Sequence, residues 1–215
     1  VLVSSNATWR YFKGFTEASD PTNAWREVQF DDAAWLEGAT PLHFGTNAVG
    51  GDDWVTGGTI LDDMQGNYGC VYMRHPFVVR TNGLVDLKFG VYVDDGLVGW
   101  INGQLGRAIG ASATACAFTN NAGSDRDTAQ SLYEYSILAN VAGGLRDGTN
   151  ILCVQAFNHR WTNDDFRVAV QLTAFLADVA PPVVTAVHPE PGAHLTNLTQ
   201  VTVTFSEPVT GVVAA

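Results

Sequence analysis

Residues 91–105 read VYVDDGLVGWINGQL, and no other stretch restricts the fold of this chain as strongly. Asn102-Gly103 is the pair that a two-residue type I′ turn demands, because both of its central residues need positive φ. Apolar and β-branched residues run up to it on both sides, so the segment reads as a β-hairpin. Just upstream, Asp94-Asp95-Gly96 breaks the pattern. Two neighbouring carboxylates followed by glycine mark a bulge or tight bend, and such bends sit at sheet ends, where binding loops gather.

The same alternation recurs along the chain. TWRYFK (8–13), PLHFG, CVYMRHPFVV (70–79), LVDLKFGVYV (84–93), LVGWI (97–101), SLYEYSIL (131–138), ILCVQAFNH (151–159) and FRVAVQLTAF (166–175) all read as strands. Between them, AWREVQFDDAAWLEG predicts one short helical turn capped by Asp31 or Asp32, with Trp35 turned inward. Residues 45–69 and 106–131 are long segments rich in Gly, Asn, Asp, Ala and Ser, a length that in compact domains goes with function. About eight strands, almost no helical periodicity and long end loops predict an all-β, jelly-roll β-sandwich. Its extent is residues 1–178.

After Asp178 the composition changes. Ala180-Pro181-Pro182 reads as a stiff linker, and VVTAV and QVTVTFS beyond it are two strand signals around a Pro/Gly turn. Too little chain follows for an independent sandwich, so residues 179–215 read as a linker and the opening of a second, truncated domain.

Composition excludes several partner classes. The 215 residues are 46% hydrophobic and include 6 Trp and 11 Phe, enough for a large core without metal or disulfide staples. Only 15% are charged, and the net charge of −11 repels nucleic-acid backbones and anionic lipid. No apolar run is long enough for a membrane-spanning helix. The first residue is Val, and no signal peptide is present, so the chain reads as a mature or excised fragment. The three cysteines, Cys70, Cys116 and Cys153, cannot all pair, and Cys70 and Cys153 lie in apolar strands as small buried hydrophobes.

In chain order the signals are WRYFKG; Trp25, Phe30, Asp31, Asp32, Trp35 and Gly38; PLHFG; YMRHPFVV; YVDDGLVGWING; LRDGTNILCVQAFNH; and DDFRVAVQL. This order resembles the galactose-binding-like jelly-roll domains appended to secreted bacterial enzymes and surface proteins, over residues 8–176. The tail resembles the first strands of a bacterial immunoglobulin-like domain. The resemblance implies a secreted or cell-surface, extracellular module that is non-catalytic and carbohydrate-binding, with a polysaccharide or glycan as partner. In such relatives the end of the penultimate strand often carries His, and here Asn158 and His159 share that position.

Three places carry candidate chemistry. Asp94 and Asp95 supply hard oxygen ligands, and a similar double-Asp feature binds calcium in flocculin-type lectin domains. The other reading is a polar bend whose carboxylates accept backbone N–H groups. In FNHRWTNDDF (157–166), Trp161 stands among Arg160, Thr162 and Asn163. An exposed indole stacks on the apolar face of a pyranose while Asn158, Asn163 and Asp164 bond its hydroxyls. The alternative has Trp161 covering the sandwich end or packing on the following domain, and at least one of Asp164 and Asp165 playing a structural part. Trp54, in GGDDWVTGG, is either a mobile aromatic platform or a pin for its loop. Trp9, Trp25, Trp35 and Trp100 fall in patterned segments and read as core or sheet-face residues.

No nucleophile elbow, metalloprotease helix or P-loop is present, so the domain is expected to have no catalytic residues. The leading expectation is a carbohydrate-binding accessory module, possessing calcium if Asp94 and Asp95 coordinate it. The rival is a spacer or assembly domain whose strands pair with neighbouring domains or subunits.

Overall fold

The computed structural model describes residues 1–45, 57–114, 116–126, 133–177 and 181–209. It divides into two units, Val1–Ala177 and Asp178–Ala215.

In the first unit, β1 covers Thr8–Lys13 and is followed by a 3-10 turn at Ala24–Arg26. Three short strands come next: β2 (Leu36–Ala39), β3 (Leu42–Phe44) and β4 (Thr59–Ile60). Then come β5 (Cys70–Val79), β6 (Leu84–Asp94), β7 (Gly96–Ile101), β8 (Gln104–Ile109) and β9 (Tyr133–Ser136). A single helical turn, α1 (Leu138–Val141), precedes the long β10 (Gly148–Phe157) and β11 (Phe166–Leu176).

These strands form a two-sheet, all-β sandwich of jelly-roll type. One sheet has the order β2-β1-β5-β10-β7-β8 and the other β4-β3-β11-β6-β9. Alternate residues of the long strands meet between them: Val71 and Met73 from β5, Phe89 and Val91 from β6, Val154 from β10, Val168 and Val170 from β11. Each such buried side chain contributes roughly 1.5–3 kcal/mol relative to exposure.

The outer face of the six-stranded sheet is buried as well. Tyr72, Val98, Trp100, Ile151, Cys153 and Phe157 on that face are covered by Trp25 and Trp35 from the segment between β1 and β2. All of β7 is buried, which explains why it reads as a continuous apolar run rather than an alternation. Arg74 fastens the cover. It is 2% exposed, its guanidinium donates to the carbonyls of Trp25, Glu27 (3.1 Å) and Phe30 (3.3 Å), and its Nε pairs with Asp32 at 2.7 Å. A planar, five-donor cation suits this task.

This anchoring corrects one expectation. No helical turn starts at Asp31 or Asp32: the 3-10 turn lies earlier, at Ala24–Arg26. Asp31 instead accepts the Ala33 N–H in a tight turn, and Asp32 is held by Arg74 from β5. A long-range ion pair outweighs the local capping preference. Trp35 is nonetheless turned inward, with Trp9, Trp25 and Trp100 also buried. The strand expected over 131–138 is confined to Tyr133–Ser136 among the described residues, and the chain then turns helical at Leu138.

The Asn102-Gly103 turn has positive φ at both residues, +48° and +79°, as a type I′ hairpin between β7 and β8 requires. The Asn102 side chain donates to Gly144 O and Asn150 Oδ1, and accepts the Ile151 N–H at 2.9 Å. The three cysteines are free thiols, with Cys70 and Cys153 buried.

The second unit is described by β12 (Val184–His188) and β13 (Thr202–Phe205), paired antiparallel. Its ends are closed by Ser206, which donates its N–H to Val183 O and whose Oγ accepts the Val183 N–H.

Candidate functional site

The Asp94-Asp95-Gly96 break is where the chain leaves one sheet for the other: β6 lies in the five-stranded sheet and β7 in the six-stranded one. The bend is a crossing at the rim of the sandwich, and Asp95 organises that rim. Fully buried, it accepts the Arg126 N–H on Oδ1 at 2.7 Å and the His159 N–H on Oδ2 at 2.5 Å. One carboxylate thus ties the segment before β9 to the β10–β11 loop. Burial pushes its pKa above the ordinary 3.8, against the pull of the two N–H donors, and the nearby charge of Asp125 adds to the rise. Gly110, at φ +62°, closes over the bend, since a Cβ there would meet Asp95 O at 2.5 Å. Asp94 is also buried, and its backbone lies directly opposite Arg167 in the β6–β11 pairing.

Of the two readings of the double carboxylate, the bend bonded to backbone amides matches this geometry. The residues do not fit calcium, which takes six to eight oxygen ligands. Both Asp95 oxygens face N–H donors in a buried position, and among the described residues no three His, Cys, Asp or Glu side chains form a group that could hold a metal.

The loop between β10 and β11 stands on this support. Trp161 is 38% exposed, the only tryptophan among the described residues on the surface to that extent. Its carbonyl accepts the Gly66 N–H at 2.5 Å, and its ring lies against Gly69, where a Cβ would come within 2.7 Å of Cδ1 and Nε1. The indole is therefore held along one edge and partly open to solvent. Around it, Asp164 is exposed and Asn163 half-buried. Asn163 Nδ2 donates to Asp165 Oδ1 at 3.1 Å, while its side-chain oxygen and the Asp164 carboxylate take no protein hydrogen bond among the described residues.

Asn158 is a correction. At 1% exposure it cannot reach a ligand on the rim. Its Nδ2 donates to Asp165 O, its Oδ1 accepts the Arg160 N–H, and its backbone bonds Gly69 O and the Ala122 N–H. It lies at the junction of three loops, where both its backbone and its side chain are consumed. Asp165, buried beside it, has the structural part expected of one member of the Asp164-Asp165 pair. Trp54 lies outside the described residues. Sequence reasoning missed Gly69 as a support of the rim; the glycine directly before the strand CVYMRHPFVV carried the signal.

No family model matches the sequence, and no curated protein matches it. Among solved structures, a β-glucuronidase from Bacteroides uniformis aligns with 80% of this chain and 17% of its own at 16% identity and a TM-score of 0.49. A β-glycosidase from Bacteroides vulgatus aligns with 80% of this chain and 20% of its own at 14% identity, TM-score 0.43. A β-glucuronidase from an uncultured Clostridium sp. covers 94% and 33%, at 11% and 0.45. The chain spans a third or less of each of these enzymes.

Proposed function

We propose that Val1–Ala177 is a non-catalytic carbohydrate-binding module of a secreted, extracellular multidomain protein, with a polysaccharide or glycan as its partner. The observation that carries this reading is Trp161: a 38%-exposed residue whose indole edge lies against Gly69 and whose backbone carbonyl is held by the Gly66 N–H, with the free acceptors of Asn163 and Asp164 in the same loop. Such a pairing suits a sugar ring, which has an apolar C–H face and a polar edge. A single shallow platform implies weak binding and a preference for chain ends or repeating units. The bend at Asp94 and Asp95 supports the loop and does not touch the sugar.

Isothermal titration of the whole chain against a panel of plant, bacterial and host polysaccharides tests it. At least one glycan should release heat, and Trp161→Ala should weaken that binding about tenfold or more, ~1.4 kcal/mol. The variant keeps the backbone bond to Gly66, so its circular-dichroism spectrum should be unchanged. Absence of heat with every glycan, or a Trp161→Ala protein that binds as the parent does, overturns the reading.

A further inference from the structure

A second concavity lies away from the rim. β1 begins at Thr8, while β5 runs on past it to Val79, so the pairing that joins Arg10 to Arg74 ends and leaves a notch in the sheet. Pro76 stands on β5 there, with no N–H to offer a pairing strand, so the notch does not invite strand addition. The space amounts to about 400 Å³, within the range of small-molecule sites. Ile151 lines it, and Ile151 is six residues from Phe157 along β10, about 20 Å from the rim at 3.3 Å per residue.

The lining has two kinds of surface. Val28, Phe30, Pro76 and Ile151 are apolar. Opposing them are two ion pairs, Arg10 with Glu37 at 3.1 Å and Arg74 with Asp32 at 2.7 Å. Positive and negative groups match two for two, and burial lowers the pKa of His75, also in the lining, favouring its neutral form. A charged ligand would have to displace one partner of a pair. A hydroxyl need not: Asp32 Oδ1 and Glu37 Oε2 remain free to accept, because each arginine engages only the other oxygen. A donor is present too: the Arg10 Nε–H has no acceptor among the described residues. Trp9 also lines the notch, with its side chain buried in the core between the sheets.

We propose that this notch is a second ligand site, taking an uncharged saccharide one or two sugar units long. Apolar walls receive the C–H faces, and paired but unsaturated carboxylates and the Arg10 N–H receive the hydroxyls. The site is independent of the Trp161 platform and does not rest on it.

The test follows the indole N–H signals of the whole chain by two-dimensional NMR during titration with methyl glucoside, methyl galactoside, cellobiose and lactose. Glucuronate and glucosamine serve as charged counterparts. At least one neutral sugar should shift the Trp9 signal saturably, and its charged counterpart should bind about tenfold more weakly. Glu37→Ala, at a largely exposed position, should weaken the response several-fold, and Val28→Trp should abolish it by filling the space. Trp161→Ala should leave it unchanged, so that failure of the rim reading and failure of this one are separate results. A Trp9 signal that no neutral sugar moves overturns the proposal. So does a response that survives Glu37→Ala undiminished, or one that charged sugars match.

Discussion

A tryptophan becomes a platform only when something holds it, and here the holder is the missing side chain of Gly69. A methyl group at that position would overlap the indole at 2.7 Å, and a ring of that size cannot swing aside as the tip of a lysine can. Gly69→Ala should therefore displace Trp161, measured as a shift in tryptophan emission and a loss of glycan affinity comparable to that of Trp161→Ala. Asp95 makes a second residue-scale prediction, on pH. Its folded-state pKa lies above the ordinary 3.8. A group raised on folding contributes stability below its unfolded pKa and loses it as pH rises through the folded value. Relative to Asp95→Asn, the parent should gain stability as pH falls from neutral toward 3.8, read from urea midpoints across a pH series. The opposite slope would contradict the burial of this carboxylate. At this scale the exposure of Trp161 is legible from its polar neighbours. The burial of Asn158 is not, because an Asn beside a His and an Arg reads as surface until the Gly69 and Ala122 backbones are placed against it.

Among the elements, the β7–β8 hairpin carries the most local information. Asn102 does two jobs: it adopts φ +48° and it bonds Gly144, Asn150 and Ile151 through its side chain. Asn102→Ala loses both and should cost about 3–5 kcal/mol. Asn102→Gly loses the bonds but tolerates the backbone, and should be less damaging by about 1 kcal/mol. Chemical denaturation of the two variants separates the contributions. The segment before β2 behaves in the opposite way. Its Asp31 and Asp32 carry a helix-cap pattern, yet Arg74, more than forty residues along the chain (42 from Asp32), takes the second carboxylate and draws the segment flat over the sheet. Local propensity is worth about 1 kcal/mol at a cap, and a buried arginine with several carbonyls to satisfy exceeds it.

For the molecule as a whole, the charge of −11 draws cations as a diffuse atmosphere, and the described residues offer no built site for one. A calcium site at a hundred times its Kd would add about 2.7 kcal/mol, or roughly 5–10 °C in Tm for a domain of this size. Thermal unfolding with calcium, with magnesium at equal ionic strength and with chelator should give the same midpoint. A calcium-specific rise would place a cation on the rim and reopen the ligand reading of Asp94 and Asp95. The doubly covered six-stranded sheet is the other feature of this scale. It uses the large aromatic content on both faces of one sheet, so the segments that cross that sheet are held by apolar packing.

Alternation of apolar residues, the Asn-Gly turn and the low charge determined the fold class, because period-two patterning and positive φ are properties of residues next to one another in the chain. Tertiary structure alone decided which carboxylate is buried and which asparagine is out of reach. It also decided where a notch opens between β1 and β5. Each of these depends on segments far apart in sequence meeting at one place, where desolvation and hydrogen-bond satisfaction outweigh anything local.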